Sequence, residues 1–398
     1  MINIMCLTSS GGLPIFNRKR GDCENLPFAT IGSLNGVHMF CKSQGVNIRT
    51  TYMDDGVIVW REFENCVTMI GAAKGITEDV LNNLLEYAFN AMIFCVSLSE
   101  LKHNKNVEQL KRELKSYFPI LDKLLESAET DFLKFSDCIL TNENAQILLR
   151  LNEFSDQIGS PFCTVLLHHK ILVGTEGWWD LDVVDRKLLI TTIQSSNKPF
   201  PDVPVYLPKK NPNIAYRFVC VAIRQNISVC VLCGAEPQYA DIENLARQIW
   251  KNDNTTMENA ELTYPRNLPI DLKLDQGILG LILINKLHSK YVMTRNLQQS
   301  SNGKRTTAGA HRLDILRTFF HQAVDTINKF LETPSEQNGK IVTSLESYWC
   351  SDYHKCHAYA FEDNLICVLY VAAIPTHNMR IITQKTLNLI IAEKDISW

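Results

Sequence analysis

Nothing in the 398 residues is long and apolar enough to cross a bilayer. The best candidate, Ala88 to Leu98, is 11 residues long and interrupted by Asn90, against the roughly 18 that a spanning helix needs. The chain also lacks a charge excess of either sign, with 40 Lys+Arg against 43 Asp+Glu and a formal charge of −3. Nucleic-acid binders usually carry a clustered basic surplus, so no nucleic-acid partner is expected. The local runs Arg18-Lys19-Arg20 and Lys209-Lys210 are read as solvated loops, with a lipid headgroup or an acidic partner as the alternative. The start, Met1-Ile2-Asn3-Ile4, shows no basic leader region and no Gly at position 2. Neither a signal peptide nor a myristoyl anchor is expected. A disulfide framework is not expected either. The 13 cysteines are odd in number, and most sit in apolar stretches, as Cys95, Cys138 and Cys220 do. Buried thiols of a reducing, cytosolic compartment fit that usage.

Catalytic motifs are missing as well. Gly32-Ser33-Leu34-Asn35-Gly36 has Leu34 where a nucleophile elbow needs serine. Gly303-Lys304 resembles the end of a phosphate loop, but Gln298 replaces its first glycine and Arg305 its Ser/Thr. Cys350, His354, Cys356 and His357 are dense enough to suggest zinc. On a strand, however, His357 points away from His354 and Cys356, so strand and turn residues are the better reading. Cys230-x-x-Cys233 lies within an apolar run and reads as packing, not redox chemistry. No catalytic residue, metal or cofactor is expected.

What is present is an order of elements that recurs three times, starting at Ile2, Phe162 and Gly277. In the first round, Ile2 to Leu7 and Leu13 to Phe16 form a hairpin, and a helix runs from Pro27 to about Lys42. Val46 to Tyr52, Val57 to Phe63 and Cys66 to Gly71 then read as strands. Thr77 opens a long helix, and a further amphipathic helix carries Pro119 as a kink. The second round has strands Phe162 to Leu167 and Ile171 to Gly174 and a helix over Leu181 to Gln194. After the Pro-rich Pro199 to Pro212 come strands Ile214 to Ile223 and Ile227 to Leu232 and a helix over Tyr239 to Lys251. The third has strands Gly277 to Asn285 and Lys290 to Arg295, the polar loop Gln298 to Thr307 and a helix over Leu313 to Phe330. Strands over Val342 to Trp349, His354 to Phe361 and Leu365 to Val371 precede a last helix over Gln384 to Ala392. The length supports about two to three domains. The expected division is 1–130, 158–255 and 274–398, with boundaries in Ser127 to Gly159 and Asn252 to Asp275.

One surface stands out. With Ala29 to Cys41 wound at 100° per residue, Ile31, Leu34, Val37, His38 and Cys41 gather on the side facing their own sheet. The other side carries Ala29, Gly32, Ser33 and Gly36, with Phe40 beside them. Glycine inside a helix costs about 1 kcal/mol relative to alanine. A stripe of small residues lets another backbone approach, either from elsewhere in the chain or from a partner. Trp178 and Trp179 are read as a core cap, with a second partner contact as the alternative.

The order strand-strand-helix-strand-strand-strand-helix on a five-stranded antiparallel sheet resembles the longin domain. Three in succession, an α+β architecture, resemble the tri-longin family of planar cell polarity effectors. The resembling blocks are Leu26-Pro-Phe, Ile31-Gly-Ser-Leu-Asn-Gly-Val-His-Met-Phe40, Thr175-Glu-Gly-Trp-Trp179, Pro204-Val-Tyr-Leu-Pro208, Val231-Leu-Cys-Gly234 and Ile278-Leu-Gly-Leu-Ile282. The resemblance implies pairing with Inturned, itself a tri-longin protein, in the ciliogenesis and planar polarity effector complex with Wdpcp/Fritz-type members. It also implies recruitment of a Rab-like small GTPase, a place at the cilium base, peripheral membrane contact through the complex, and roles in ciliary vesicle and intraflagellar transport and Hedgehog signalling. Guanine-nucleotide exchange as part of a heterodimer and a vesicle tether without GTPase contact are the alternatives.

Overall fold

Strand alternation decides how the first sheet is layered. A computed structural model describes residues 1–21, 26–103, 106–128, 132–196, 202–269, 271–295, 307–332, 344–396 and 398. In it β1 (Ile2–Thr8) and β2 (Pro14–Arg20) form a hairpin, α1 (Phe28–Ser43) follows, and β3 (Thr50–Met53), β4 (Gly56–Phe63) and β5 (Val67–Lys74) complete an antiparallel sheet of order β2-β1-β5-β4-β3. Successive side chains leave a strand on opposite faces. Met5 and Leu7 of β1 therefore join Ile31, Trp60 and Ile70 under α1. Cys6 meets Met92 of the helix on the other face, α2 (Glu78–Val96). Both faces of β1 are covered, so it is buried almost end to end. Thr77 caps α2, with its hydroxyl accepting from the Val80 amide.

Three short helices follow: α3 (Leu98–His103), α4 (Val107–Glu113) and α5 (Phe118–Ser127). Pro119 does not kink a continuous helix. A 3₁₀ turn over Leu114–Tyr117 ends one segment, and Pro119 lies in the first turn of α5, where a missing N–H costs nothing. The basic run Arg18-Lys19-Arg20 is not a loop but the end of β2. Arg18 Nε donates to Asp122 of α5 at 2.8 Å, and Arg20 lies 3.8 Å from Glu126.

The stretch expected as the first boundary holds structure: β6 (Ser136–Asp137) and α6 (Asn144–Ile158). The second round then gives β7 (Cys163–Leu167), β8 (Lys170–Gly174), α7 (Glu176–Trp179), α8 (Val183–Ser195), β9 (Asp202–Leu207), β10 (Asn211–Ala222), β11 (Ile227–Cys233) and α9 (Tyr239–Ile249), with sheet order β8-β7-β11-β10-β9. The second expected boundary holds α10 (Asn254–Leu262). The third round comprises β12 (Ile278–Asn285), β13 (Lys290–Arg295), α11 (Thr307–Glu332), β14 (Ser344–Cys350), β15 (His354–Phe361), β16 (Asn364–Val371) and α12 (Thr376–Ala392). Its order, β14-β15-β16-β12-β13-β6, repeats the five-stranded pattern and adds β6 in parallel at the β13 edge. The polar loop Gln298 to Thr307, with Gly303-Lys304, lies outside the described residues except for Thr307.

The described residues form two compact units. One holds Met1–Lys134, Leu181–Cys220 and Val231–Tyr239; the other holds Phe135–Asp180, Val221–Cys230 and Ala240–Trp398. In the first, α8 packs on α2 and α5. Lys209-Lys210 is the exposed turn between β9 and β10 that was expected, and its backbone is anchored. Both backbone amides donate to Asp185 of α8 at 3.1 Å, and Lys209 Nζ reaches Glu86 at 3.1 Å. Burial outweighs those amides and lifts the Asp185 pKa to about 6. In the second, Asn144 at the start of α6 is 1% exposed. Its amide donates to the carbonyls of Ile139, Leu172 and Ile396 at 3.1–3.3 Å. No described helix is long and apolar enough to cross a membrane.

Candidate partner surface

Pro27 supplies the fixed φ that starts α1. Gly45, at φ +75°, ends it: its amide donates to Lys42 O and that of Val46 to Cys41 O. Ile31 and His38 are buried against the sheet, Leu34 and Cys41 are half-buried, and Trp60 Nε1 donates to Leu34 O at 3.3 Å. Val37 was expected on this side and is not there. One residue from His38 is a 100° step, and Val37 is 48% exposed. Lys42 Nζ fastens the last turn to Glu62 of β4 at 2.6 Å.

The opposite side is open. Ala29, Gly32, Ser33, Gly36 and Phe40 are all exposed, and a Cβ built on Gly32 or Gly36 meets nothing within 4 Å. The helix is therefore not sandwiched by another described part of this chain. Phe40 is 67% exposed, and Phe28 and Met39 rim the glycine stripe at 73% and 46%. Ser33 turns its hydroxyl back onto Ala29 O at 2.9 Å, which satisfies it within the helix. Lys42 is the only Asp, Glu, Lys or Arg between Phe28 and Ser43. A solvent-facing helix with no charge on its outer side and two large aromatics is the pattern of a covered surface.

Beside α1 lies an open groove of about 550 Å³, with His38, Arg49, Trp60, Arg61, Glu62 and Glu78 among its walls. Burial lowers the His38 pKa; Glu62 works against this and Lys42 with it, so the imidazole is neutral at pH 7. The edge strand β3 bounds the same region, with Tyr52 71% and Met53 45% exposed. Glu78 pins that edge by accepting hydrogen bonds from Thr50, at 2.6 Å, and from the Tyr52 hydroxyl.

Sequence comparison then places the chain. Residues 2–124, 158–251 and 277–394 match the first, second and third longin domains of FUZ, MON1 and HPS1. A Xenopus tropicalis protein named Protein fuzzy homolog is 31% identical over 402 residues, covering 96% of each chain. The Homo sapiens protein of that name is 30% identical over 335 residues, covering 82% of this chain and 79% of its own. The chain belongs to the Fuzzy family of tri-longin proteins.

The other residues singled out in this Fuzzy-family chain fall elsewhere. Trp178 is fully buried and offers a partner nothing. Its ring fills the space over Gly174, where a Cβ would come within 2.6 Å of Cδ1. Trp179 is half-buried, and Lys290 Nζ lies 5.0 Å from its ring centroid and 4.8 Å from that of Trp398. Cys356 and His357 are buried on opposite faces of β15, and His357 Nδ1 bonds Thr383 Oγ1 at 2.7 Å. Cys350 is exposed, and all the described cysteines are free thiols. Among the described residues no three His, Cys, Asp or Glu side chains converge on a point. Phe28 and Met39 were missed in the sequence, although the charge-free run from Phe28 to Cys41 was there to be read.

Proposed function

We propose that the chain is a non-catalytic subunit that pairs with a second tri-longin protein of the Inturned kind. The outer face of α1 is the contact: Ala29, Gly32, Ser33, Gly36 and Phe40, rimmed by Phe28 and Met39. The observation that carries this reading is the open, charge-free glycine stripe with Phe40 exposed at its end. The pair would present a two-domain surface to a Rab-like small GTPase, and so serve ciliary vesicle and intraflagellar transport at the cilium base, cilium biogenesis, planar cell polarity and Hedgehog signalling. Wdpcp/Fritz-type members complete the assembly, and contact with membrane is peripheral. The family membership supports this choice of partners and processes.

Binding needs no nucleophile. An exchange factor acts by holding the nucleotide-free GTPase more tightly than the loaded one, so a chain without catalytic residues fits both an effector subunit and half of an exchange factor. Release of labelled GDP from the GTPase, with and without the purified pair, separates them. The effector reading expects an unchanged rate, and acceleration by the pair would replace it with exchange. If nucleotide-locked GTPases fail to bind the pair in either state, a vesicle tether or coat adaptor without GTPase contact takes its place.

A further inference from the structure

An edge strand that ends early leaves backbone groups of its neighbour unpaired. In the first sheet β3 stops short of the end of β4. Their ladder runs from Met53 opposite Gly56 to Thr50 opposite Val59, and its last bond is from the Trp60 amide to Arg49 O at 2.8 Å. Antiparallel partners alternate between bonded and non-bonded pairs. Trp60 bonds on the β3 side, so the next β4 residue to direct its N–H and C=O there is Glu62. The chain that could have met it has turned away, because the Val46 amide is tied to Cys41 O. Neither backbone group of Glu62 is taken up by a described residue.

This notch opens into the groove beside α1, of which Trp60, Arg61 and Glu62 form one wall and Asn47, Ile48, Arg49 and Thr50 another. Most of its charges are already engaged. Lys42 Nζ holds Glu62 at 2.6 Å, the hydroxyls of Thr50 and Tyr52 hold Glu78, and Arg61 Nη1 lies 3.7 Å from Glu86. Two groups are not. Arg49 stands opposite Trp60, whose side chain packs under α1, so the Arg49 side chain leaves on the α1 face as well. It is exposed and in no ion pair with a described residue. His38, on the same face, is 8% exposed, and its imidazole makes no hydrogen bond to a described residue. A polar side chain buried that far has a partner in the great majority of folds. One groove thus gathers a free backbone donor and acceptor, a guanidinium without a counter-ion and an imidazole without a partner.

We propose that this notch docks an extended acidic segment of a partner protein, which pairs with the free backbone groups of Glu62 and sets a carboxylate against Arg49 and His38. Backbone pairing fixes the segment, as in strand-addition recognition, and the uncompensated guanidinium selects its charge. The site lies on the inner side of α1 and does not rest on the contact proposed for its outer face.

The test is selection of random 12-residue displayed peptides against the full chain, followed by fluorescence anisotropy and amide hydrogen exchange with a winning peptide. Strand-forming sequences bearing Asp or Glu are expected to be enriched, and the winner should slow exchange of the Glu62 amide. Arg49→Glu should weaken its binding about tenfold or more. Circular dichroism and the unfolding midpoint should not change, since this side chain is in no ion pair with a described residue. Replacing the peptide's acidic residue with its amide should weaken binding to a similar degree, with no change to the protein at all. The proposal is overturned if no acidic peptide is enriched, if binding ignores Arg49→Glu, or if the Glu62 amide exchanges as fast in the complex as in the free chain. A dimer of the full chain that dissolves in Arg49→Glu would also overturn it, because a second copy would then own the notch.

Discussion

Replacing Gly36 with leucine should move two measurements in opposite directions. In the free chain, a side chain at position 36 enters open space, since nothing lies within 4 Å of its Cβ. Removing an exposed glycine from a helix interior gains about 1 kcal/mol. The variant should therefore unfold at the same or a higher urea concentration. In the proposed complex, leucine would stand in the middle of the stripe that the partner backbone is expected to approach. Overfilling a packed contact costs about 1–3 kcal/mol, which is roughly 5- to 150-fold in Kd. Isothermal titration against purified Inturned reads the second effect, and co-purification gives the coarse version. Gly36→Ala, which adds one methyl, should fall between. An unchanged Kd refutes the interface, and a destabilised free chain refutes the claim that this face is open.

Other sites give sharp expectations. Asn144→Ala strips the carbonyls of Ile139, Leu172 and Ile396 of their shared buried donor, and about 2–4 kcal/mol should be lost in urea unfolding. Gly71→Val places a Cβ 2.9 Å from Leu81 Cδ1 and 3.2 Å from Leu85 Cδ2. It should cost about 1–3 kcal/mol by forcing α2 off the sheet, read as a lower thermal midpoint. His357 has its pKa lowered from 6.5 to about 4, chiefly by burial, with Glu346 opposing. The folded state then binds fewer protons than the unfolded one between those values. The contribution is complete above pH 6.5 and is lost as pH falls toward 4. His357→Gln should flatten the decline of the urea midpoint between pH 7 and 5, and an unchanged slope would count against it.

Elements whose own residues carry the pattern were legible in the sequence. β13 and β15 appear with the bounds read from their apolar and β-branched content, and α2 starts after the Thr77 cap. Misses have local causes. The strand expected from Val46 begins only at Thr50, because the Val46 amide is tied to Cys41 O at the end of α1. Within the Pro-rich stretch, β9 tolerates Pro204 because it is an edge strand. In the sequence α6 reads as a connection because its surface is polar, although Ile147, Leu151 and Phe154 keep helical spacing and are buried. α12 begins at Thr376, eight residues before the expected Gln384, since its polar first turn hides the pattern that the buried Met379 and Thr383 continue. The α1 stripe was legible because glycine inside a helix is costly and so conspicuous. That Val37 is exposed and that Phe28 and Met39 form the rim depends on where the sheet ends beneath α1, which helical period alone does not specify.

The proposed function makes this chain one half of a GTPase-binding pair joined through α1. The most direct measurement is capture of a nucleotide-locked Rab-like GTPase by the chain alone, by Inturned alone, by the pair, and by the pair carrying Phe40→Ala with Gly36→Leu. Strong capture is expected by the intact pair and little by either subunit or by the variant pair. Equal capture by the chain alone, or by the pair with the α1 face altered, would contradict it.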